Sequence, residues 1–170
     1  MTAEDNRANC AAVKPVRDGY HTATPYLTVK NAAAAIEFYQ HAFGAEEIRR
    51  LAAPDGKVLH AEIRIGDSII MLSDEFPSHS ALSPETLGGS AMFIVLSLED
   101  VDARIQQAVA AGATVFRRVA NQFSGDRTGT IQDPFGHRWT LTTHIEDVSE
   151  EEMNRRLAAM MRTAPSSENL

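Results

Sequence analysis

A histidine, a glutamate and an arginine at positions 60, 62 and 64 are the side chains of this sequence best placed to do chemistry together. They alternate with Ala61, Ile63 and Ile65 in VLHAEIRI, the pattern of a strand whose successive side chains point to opposite faces. The apolar members pack against a helix, and His60, Glu62 and Arg64 share the other face. An imidazole titrates at about pH 6.5, which suits general acid–base work, and a carboxylate beside it is a second proton acceptor. His60 and Glu62 are therefore the candidate catalytic pair, with Tyr26 and Arg64 orienting a ligand. A purely structural reading stands beside this one: Glu62 pairs with Arg64, or with an arginine across the sheet, and holds the strands together. In SIIMLSD the same alternation sends Ile70 and Leu72 to the helix, and Ile69, Met71 and Ser73 to the open side. In the opening strand it sends Thr24, Tyr26 and Thr28 there.

A second group, Gln122, Asp126 and Arg127, stands in the loop before TGTIQD, where Gln122 and Arg127 are candidate ligand contacts. Arg127 can clamp a carboxylate or phosphate with two parallel hydrogen bonds, or it serves a turn with Asp126 or a dimer contact. The other histidines read less sharply. His41 lies on a helix surface, His137 is solvated in a turn, and His144 faces either the cavity rim or solvent. Asp133-Pro134-Phe135-Gly136 is a hairpin turn, and Trp139 has the parity of a core residue. Gly-x-Ser-x-Gly, the P-loop and Gly-x-Gly-x-x-Gly are all missing from the sequence.

The elements that position these residues occur twice. Gly44 and Gly112 stand 68 residues apart, and so do the Arg49-Arg50 and Arg117-Arg118 pairs. Each glycine ends a helical pattern and each arginine pair lies in a strand-like one, so the chain holds two copies of one unit. The first copy, 21–74, runs strand, helix NAAAAIEFYQHAFG with Asn31 as N-cap, then three strands. A Ser/Pro/Gly-rich connector covers 75–89. The second copy, 90–146, repeats the order with the helix DVDARIQQAVAAG. Residues 1–20 read as a flexible arm, and 147–170 as a helix opened by Ser149 and Glu152 plus the loose tail PSSENL. The fold class is α+β: two βαβββ modules and a C-terminal helix that packs on its own or a partner chain.

The chain has 170 residues and a net charge of −7, a balance that repels nucleic acid and anionic membranes. Its one cysteine, Cys10, cannot make an internal disulfide, which fits a reducing, cytoplasmic setting. No run of about 18 apolar residues, the length of a membrane span, occurs.

PYLTVKNAAAAIEFYQHAFGA, HAEIRIGDSIIMLSDE, GDRTGTIQDPFGHRWTLTTH and IEDVSEEEMNRR together resemble the glyoxalase/bleomycin-resistance/dioxygenase (vicinal oxygen chelate) superfamily, in its PhnB-like branch. The resemblance covers about 21–157. It implies a curved mixed sheet enclosing a central small-molecule cavity, and frequent homodimerisation. It does not fix a reaction, since the fold hosts lyases, epimerases, dioxygenases and drug binders. Many relatives hold a divalent metal through four side chains. Carried onto this sequence, those positions are Thr24, Met71, Phe93 (Met92 with a one-residue slip) and Thr140. None is a normal ligand for such a cation, so the expectation is no metal and no other cofactor. Met71, Phe93 and Thr140 then become ligand-binding walls of the cavity. The leading expectation is a small-molecule-binding protein without the family metal, capable of metal-independent acid–base catalysis. The alternatives are a non-catalytic drug- or metabolite-sequestering protein, and a metal-dependent lyase or dioxygenase with displaced ligands.

Overall fold

Asn31 starts the first helix by accepting a hydrogen bond from the Ala34 amide at 3.0 Å, and Gly44 ends it in the left-handed region at φ 68°. The computed structural model describes residues 14–163, so the expectations for Cys10, the rest of 1–13 and PSSENL lie outside the described residues. The first module comprises β1 (Tyr26–Val29), α1 (Ala32–Phe43), β2 (Glu46–Ala52), β3 (Val58–Ile65) and β4 (Ser68–Asp74). The connector contains a 3-10 turn at Pro77–His79 and the short α2 (Pro84–Leu87), opened by Pro84 behind the Ser83 cap. The second module comprises β5 (Phe93–Ser97), α3 (Val101–Ala110), β6 (Thr114–Asn121), β7 (Asp126–Gln132) and β8 (Arg138–His144), and α4 (Glu150–Thr163) follows.

The sheets have matching orders, β1-β4-β3-β2 and β5-β8-β7-β6. In each the first pair is parallel and the others antiparallel. A detail of capping repeats too. The first helical N–H of α1, on Ala32, donates to Asp74 at 2.8 Å, and that of α3, on Val101, donates to the Thr143 hydroxyl at 3.0 Å. In both modules the end of the last strand satisfies an amide that a helix start leaves open.

The modules share one core. α1 lies on its own sheet, α3 on its own, and the two helices lie on each other. Tyr39 and Phe43 of α1 meet Trp139 of β8 at ring-centroid distances of 5.2 and 4.9 Å. Trp139 is fully buried, as its parity implies. Tyr39 donates to Asp133 at 2.7 Å, and the Trp139 indole donates to the same carboxylate oxygen at 2.9 Å. Burial first, and then the Asp133 charge, push the Tyr39 hydroxyl well above its usual range and keep it a donor. Within one chain the sheets stay separate and form no closed barrel. The face of each sheet opposite its helix is turned away from the shared core.

His137 corrects the sequence reading. It is buried rather than solvated, with Nε2 3.1 Å from the Thr28 carbonyl of the first module. The turn it ends is pressed against the free edge of β1, where that carbonyl has no strand partner. His144 is exposed, with Nδ1 3.0 Å from Asp126 and Nε2 3.0 Å from Asp147. The bond to Asp126, and then that to Asp147, raise its pKa. A raised folded-state value means that this clasp contributes fully below the unfolded value of about 6.5, and its contribution fades as pH rises through the folded value. The Ile145 and Glu146 amides, which donate to the Gly125 carbonyl at 3.0 Å, should therefore exchange faster above that value after correction for intrinsic rates. Hydrogen exchange of wild type against His144→Gln checks this: only the wild type should show the added pH dependence.

Candidate functional site

The alternation in β3 holds as the sequence implies. Ala61 and Ile63 are fully buried against the helix, and His60, Glu62 and Arg64 lie on the other face. On that face β1 and β4 run in register, Tyr26 opposite Met71, and Met71 is also opposite Glu62. This brings four polar side chains into one line. The Tyr26 hydroxyl is 3.3 Å from His60 Nδ1, His60 Nε2 is 3.1 Å from Glu62 Oε1, and the Tyr20 hydroxyl donates to Glu62 Oε2.

Glu62 is 2 % exposed. Burial pushes its carboxyl up, but the hydrogen bonds from Tyr20 and His60, with the Arg49 and His60 charges, outweigh burial and hold it below the usual carboxylate range. Arg49 stands opposite Glu62 in the β2–β3 register, and Arg17 Nη1 is 3.7 Å from Oε1. The bond to Glu62 also raises the Tyr20 hydroxyl, which stays protonated. A carboxylate can only accept, so Nε2 of a neutral His60 carries the hydrogen and Nδ1 presents its lone pair to Tyr26. The base thus points outward, toward a tyrosine that is 48 % exposed, and the carboxylate stands behind the ring.

The remaining candidates divide. Met71 borders the line and is half-buried. Arg64 is exposed and bonded to Glu46 at 2.5 Å. Phe93 and Thr140 lie on the open face of the second sheet, where the Thr140 hydroxyl is 3.0 Å from that of Thr130. Gln122 is exposed, and its amide donates to the Ala120 carbonyl at 3.1 Å. Arg127 is on the opposite face. Its guanidinium forks onto Asp102 of α3 at 2.6 and 2.8 Å and reaches Asn121 at 2.8 Å. Strand β7 begins at Asp126, and Arg127 is opposite Thr143 on the helix side.

Thr24, Met71, Phe93 and Thr140, the positions to which the resemblance assigns the family metal, offer a thioether, a phenyl ring and two hydroxyls, a donor set that does not fit a divalent cation. Among the described residues no group of three or more His, Cys, Asp or Glu side chains is placed to hold an ion. At the seam of the modules a hollow of about 380 Å³ is lined by Phe43, Ile65, Ser68, Val95, Leu98 and Arg104, away from the His60–Glu62 line.

Tyr20 and Arg17 are not legible in the sequence, while the arginine expected across the sheet from Glu62 is Arg49. Tyr20 and Arg17 sit in a stretch without periodicity. Arg49 was visible as half of the repeated arginine pair, but its place opposite Glu62 depends on a register shift between Glu47 and Arg49.

The comparisons agree with this architecture. The family model of the Glyoxalase/Bleomycin resistance protein/Dioxygenase superfamily matches residues 20–141. The uncharacterized protein Rv0887c of Mycobacterium tuberculosis is 41% identical over 139 residues, covering 80% of this chain and 82% of its own. A gene product of Arabidopsis thaliana superposes with a TM-score of 0.59 at 28% identity, covering 72% of this chain and 98% of its own. The PhnB protein of Bacillus cereus superposes with a TM-score of 0.57 at 21% identity, covering 72% and 99%. With two modules of one chain path, matching sheet orders and a family model spanning both, this chain belongs to the glyoxalase/bleomycin resistance/dioxygenase superfamily.

Proposed function

We propose that this chain binds a small molecule on the open face of its first sheet and moves a proton there without a bound metal ion. The observation that carries the reading is the line Tyr26–His60–Glu62–Tyr20. His60 Nδ1 takes the proton, directly or through the Tyr26 hydroxyl. Glu62 fixes the tautomer and stabilises the imidazolium through Nε2, and Tyr20 with Arg49 and Arg17 keeps Glu62 ionised. A single copy leaves this face and that of the second sheet open: Tyr26 on the first is 48 % exposed, and Phe93 and Val95 on the second are 37 and 60 % exposed. A second copy laid across these faces supplies the missing wall and excludes water, so the working form is a homodimer. The same apolar surface favours a second reading, a protein that sequesters its ligand without turning it over.

Imidazole nitrogen NMR of the unliganded protein tests the base directly. The neutral imidazole of His60 should carry its hydrogen on Nε2 and leave Nδ1 bare, and Glu62→Gln should scramble that state; a hydrogen fixed on Nδ1 overturns the proposal. Metal analysis of protein purified without chelator should give below about 0.1 ion per chain, and a value near one overturns the metal-independent mechanism. A compound found by thermal shift should be turned over at least about a hundredfold more slowly by His60→Ala. Binding without turnover in the wild type favours sequestration.

A further inference from the structure

The open face of the second sheet carries a cluster that the proton-transfer line does not use. Phe93, Arg138 and Gln132 are cross-strand neighbours on β5, β8 and β7. Val95, Thr140, Thr130 and Arg117 form the next row, from β5 across to β6. On β6 the register slips between Val115, opposite the core residue Ile131, and Arg117, opposite Thr130. Phe116 is the extra residue of that bulge, and the slip brings its ring to the same face as Arg117. The Arg138 guanidinium lies 4.2 Å from the centre of the Phe116 ring and 5.6 Å from that of Phe93. The Arg117 guanidinium lies 5.7 and 5.6 Å from the same two rings.

Two cations therefore share one pair of rings, and neither makes an ion pair among the described residues. Arg50, Arg64, Arg127 and Arg156 each sit on a carboxylate, whereas Arg117 and Arg138 face aromatic rings instead. Glu85 and Arg138 both line a neighbouring hollow of about 290 Å³, yet they are not within ion-pair distance of each other. Arg138 Nε is buried with no hydrogen-bond partner among the described residues. Two like charges side by side are costly unless an anion answers them. The Phe116 ring restrains the Arg138 guanidinium at 4.2 Å, and Arg117 lies beside the same rings at the outer range of a cation–ring contact.

We infer that Arg117 and Arg138, stacked on Phe93 and Phe116, form a binding subsite for a small organic anion, with its carboxylate or phosphate on the guanidiniums and its apolar body on Phe93 and Val95. The inference rests on the reading of this chain as a small-molecule binder, and not on the role of His60 as a base. It gives the ligand a charge. The chain as a whole is negative, so this patch is a local reversal that selects for an anionic end group.

Calorimetric titration of the full chain with benzoate, phenyl phosphate and benzamide tests it. Both anions should bind, with benzamide at least about tenfold weaker. The ratio between the two anions identifies carboxylate or phosphate as the preferred group. Arg138→Gln and Arg117→Gln should each weaken anion binding at least tenfold, Arg138→Lys should restore part of it, and Arg50→Gln should change nothing. His60→Ala should leave benzoate binding intact even where it abolishes turnover, which separates failure of this subsite from failure of the base. Equal affinity for benzamide and benzoate, or no binding of either anion at millimolar concentration, overturns the inference. So does an Arg138→Gln variant that becomes monomeric in sedimentation while anion binding is unchanged, because the arginine then belongs to an interface.

Discussion

Replacing Asp133 with alanine should cost about 3–5 kcal/mol, a large part of the roughly 5–15 kcal/mol that holds a domain of this kind folded. The residue is 3 % exposed, and its carboxylate accepts four hydrogen bonds. Oδ2 takes the Tyr39 hydroxyl at 2.7 Å and the Trp139 indole at 2.9 Å. Oδ1 takes the Phe135 and His137 amides, both at 2.9 Å. Truncation leaves a buried hydroxyl and a buried indole N–H without an acceptor and loosens the turn that seats His137 against Thr28. Denaturant unfolding should show a lower midpoint at an unchanged slope. A double-mutant cycle sharpens the test. Tyr39→Phe alone removes one bond and should cost about 1–2 kcal/mol, but on the Asp133→Ala background it removes an orphaned donor and should cost nothing or restore stability. Additive losses would show that the two groups do not act as a pair.

The second large effect is at Gly125. Its φ is +89°, and a β-carbon there would stand 2.1 Å from the Glu146 carbonyl oxygen and 2.8 Å from a Val148 methyl. An alanine pays for the left-handed backbone and must also push another backbone segment aside, for a total of about 3 kcal/mol. Gly129 offers the contrast. Its β-carbon would meet Ile105 Cδ1 at 2.5 Å, the far end of a side chain that can turn away, and Val119 Cγ2 at 2.9 Å, while the nearest backbone atom, Val119 Cα, is at 3.4 Å. Gly129→Ala should cost about 1–2 kcal/mol. Thermal melts of the two variants check the order, and a larger loss at Gly129 would refute the argument from backbone rigidity. Gly125→Ala should also speed exchange at Ile145 and Glu146, whose amides the Gly125 carbonyl accepts.

The duplication and the β3 face were legible in the sequence because their signals are local. Asn31, Gly44 and the alternation of His60 to Ile65 each act within a few residues of where they stand. What was hidden depends on register or on distant contact. Arg127 was read as part of a loop and so had no assigned face, and only the start of β7 at Asp126 turns it toward Asp102. Phe116 and Arg117 share a face through an irregularity that no periodicity announces. Tyr20 reaches Glu62 from a stretch with no pattern, across 42 positions of chain. Asp133 was recognised as a turn residue. Its second task, joining Tyr39 of one module to Trp139 of the other, needs both modules in place before it exists.

That joint task has a historical corollary. A primordial half-length polypeptide, if it assembled with its own twin, needed a surface able to satisfy itself. In the present molecule one half keeps the hydroxyl and the other keeps the carboxylate that receives it, 94 positions away. Either half taken alone would bury a hydroxyl without its acceptor or a carboxylate without that donor, so the two halves are bound to a shared fate.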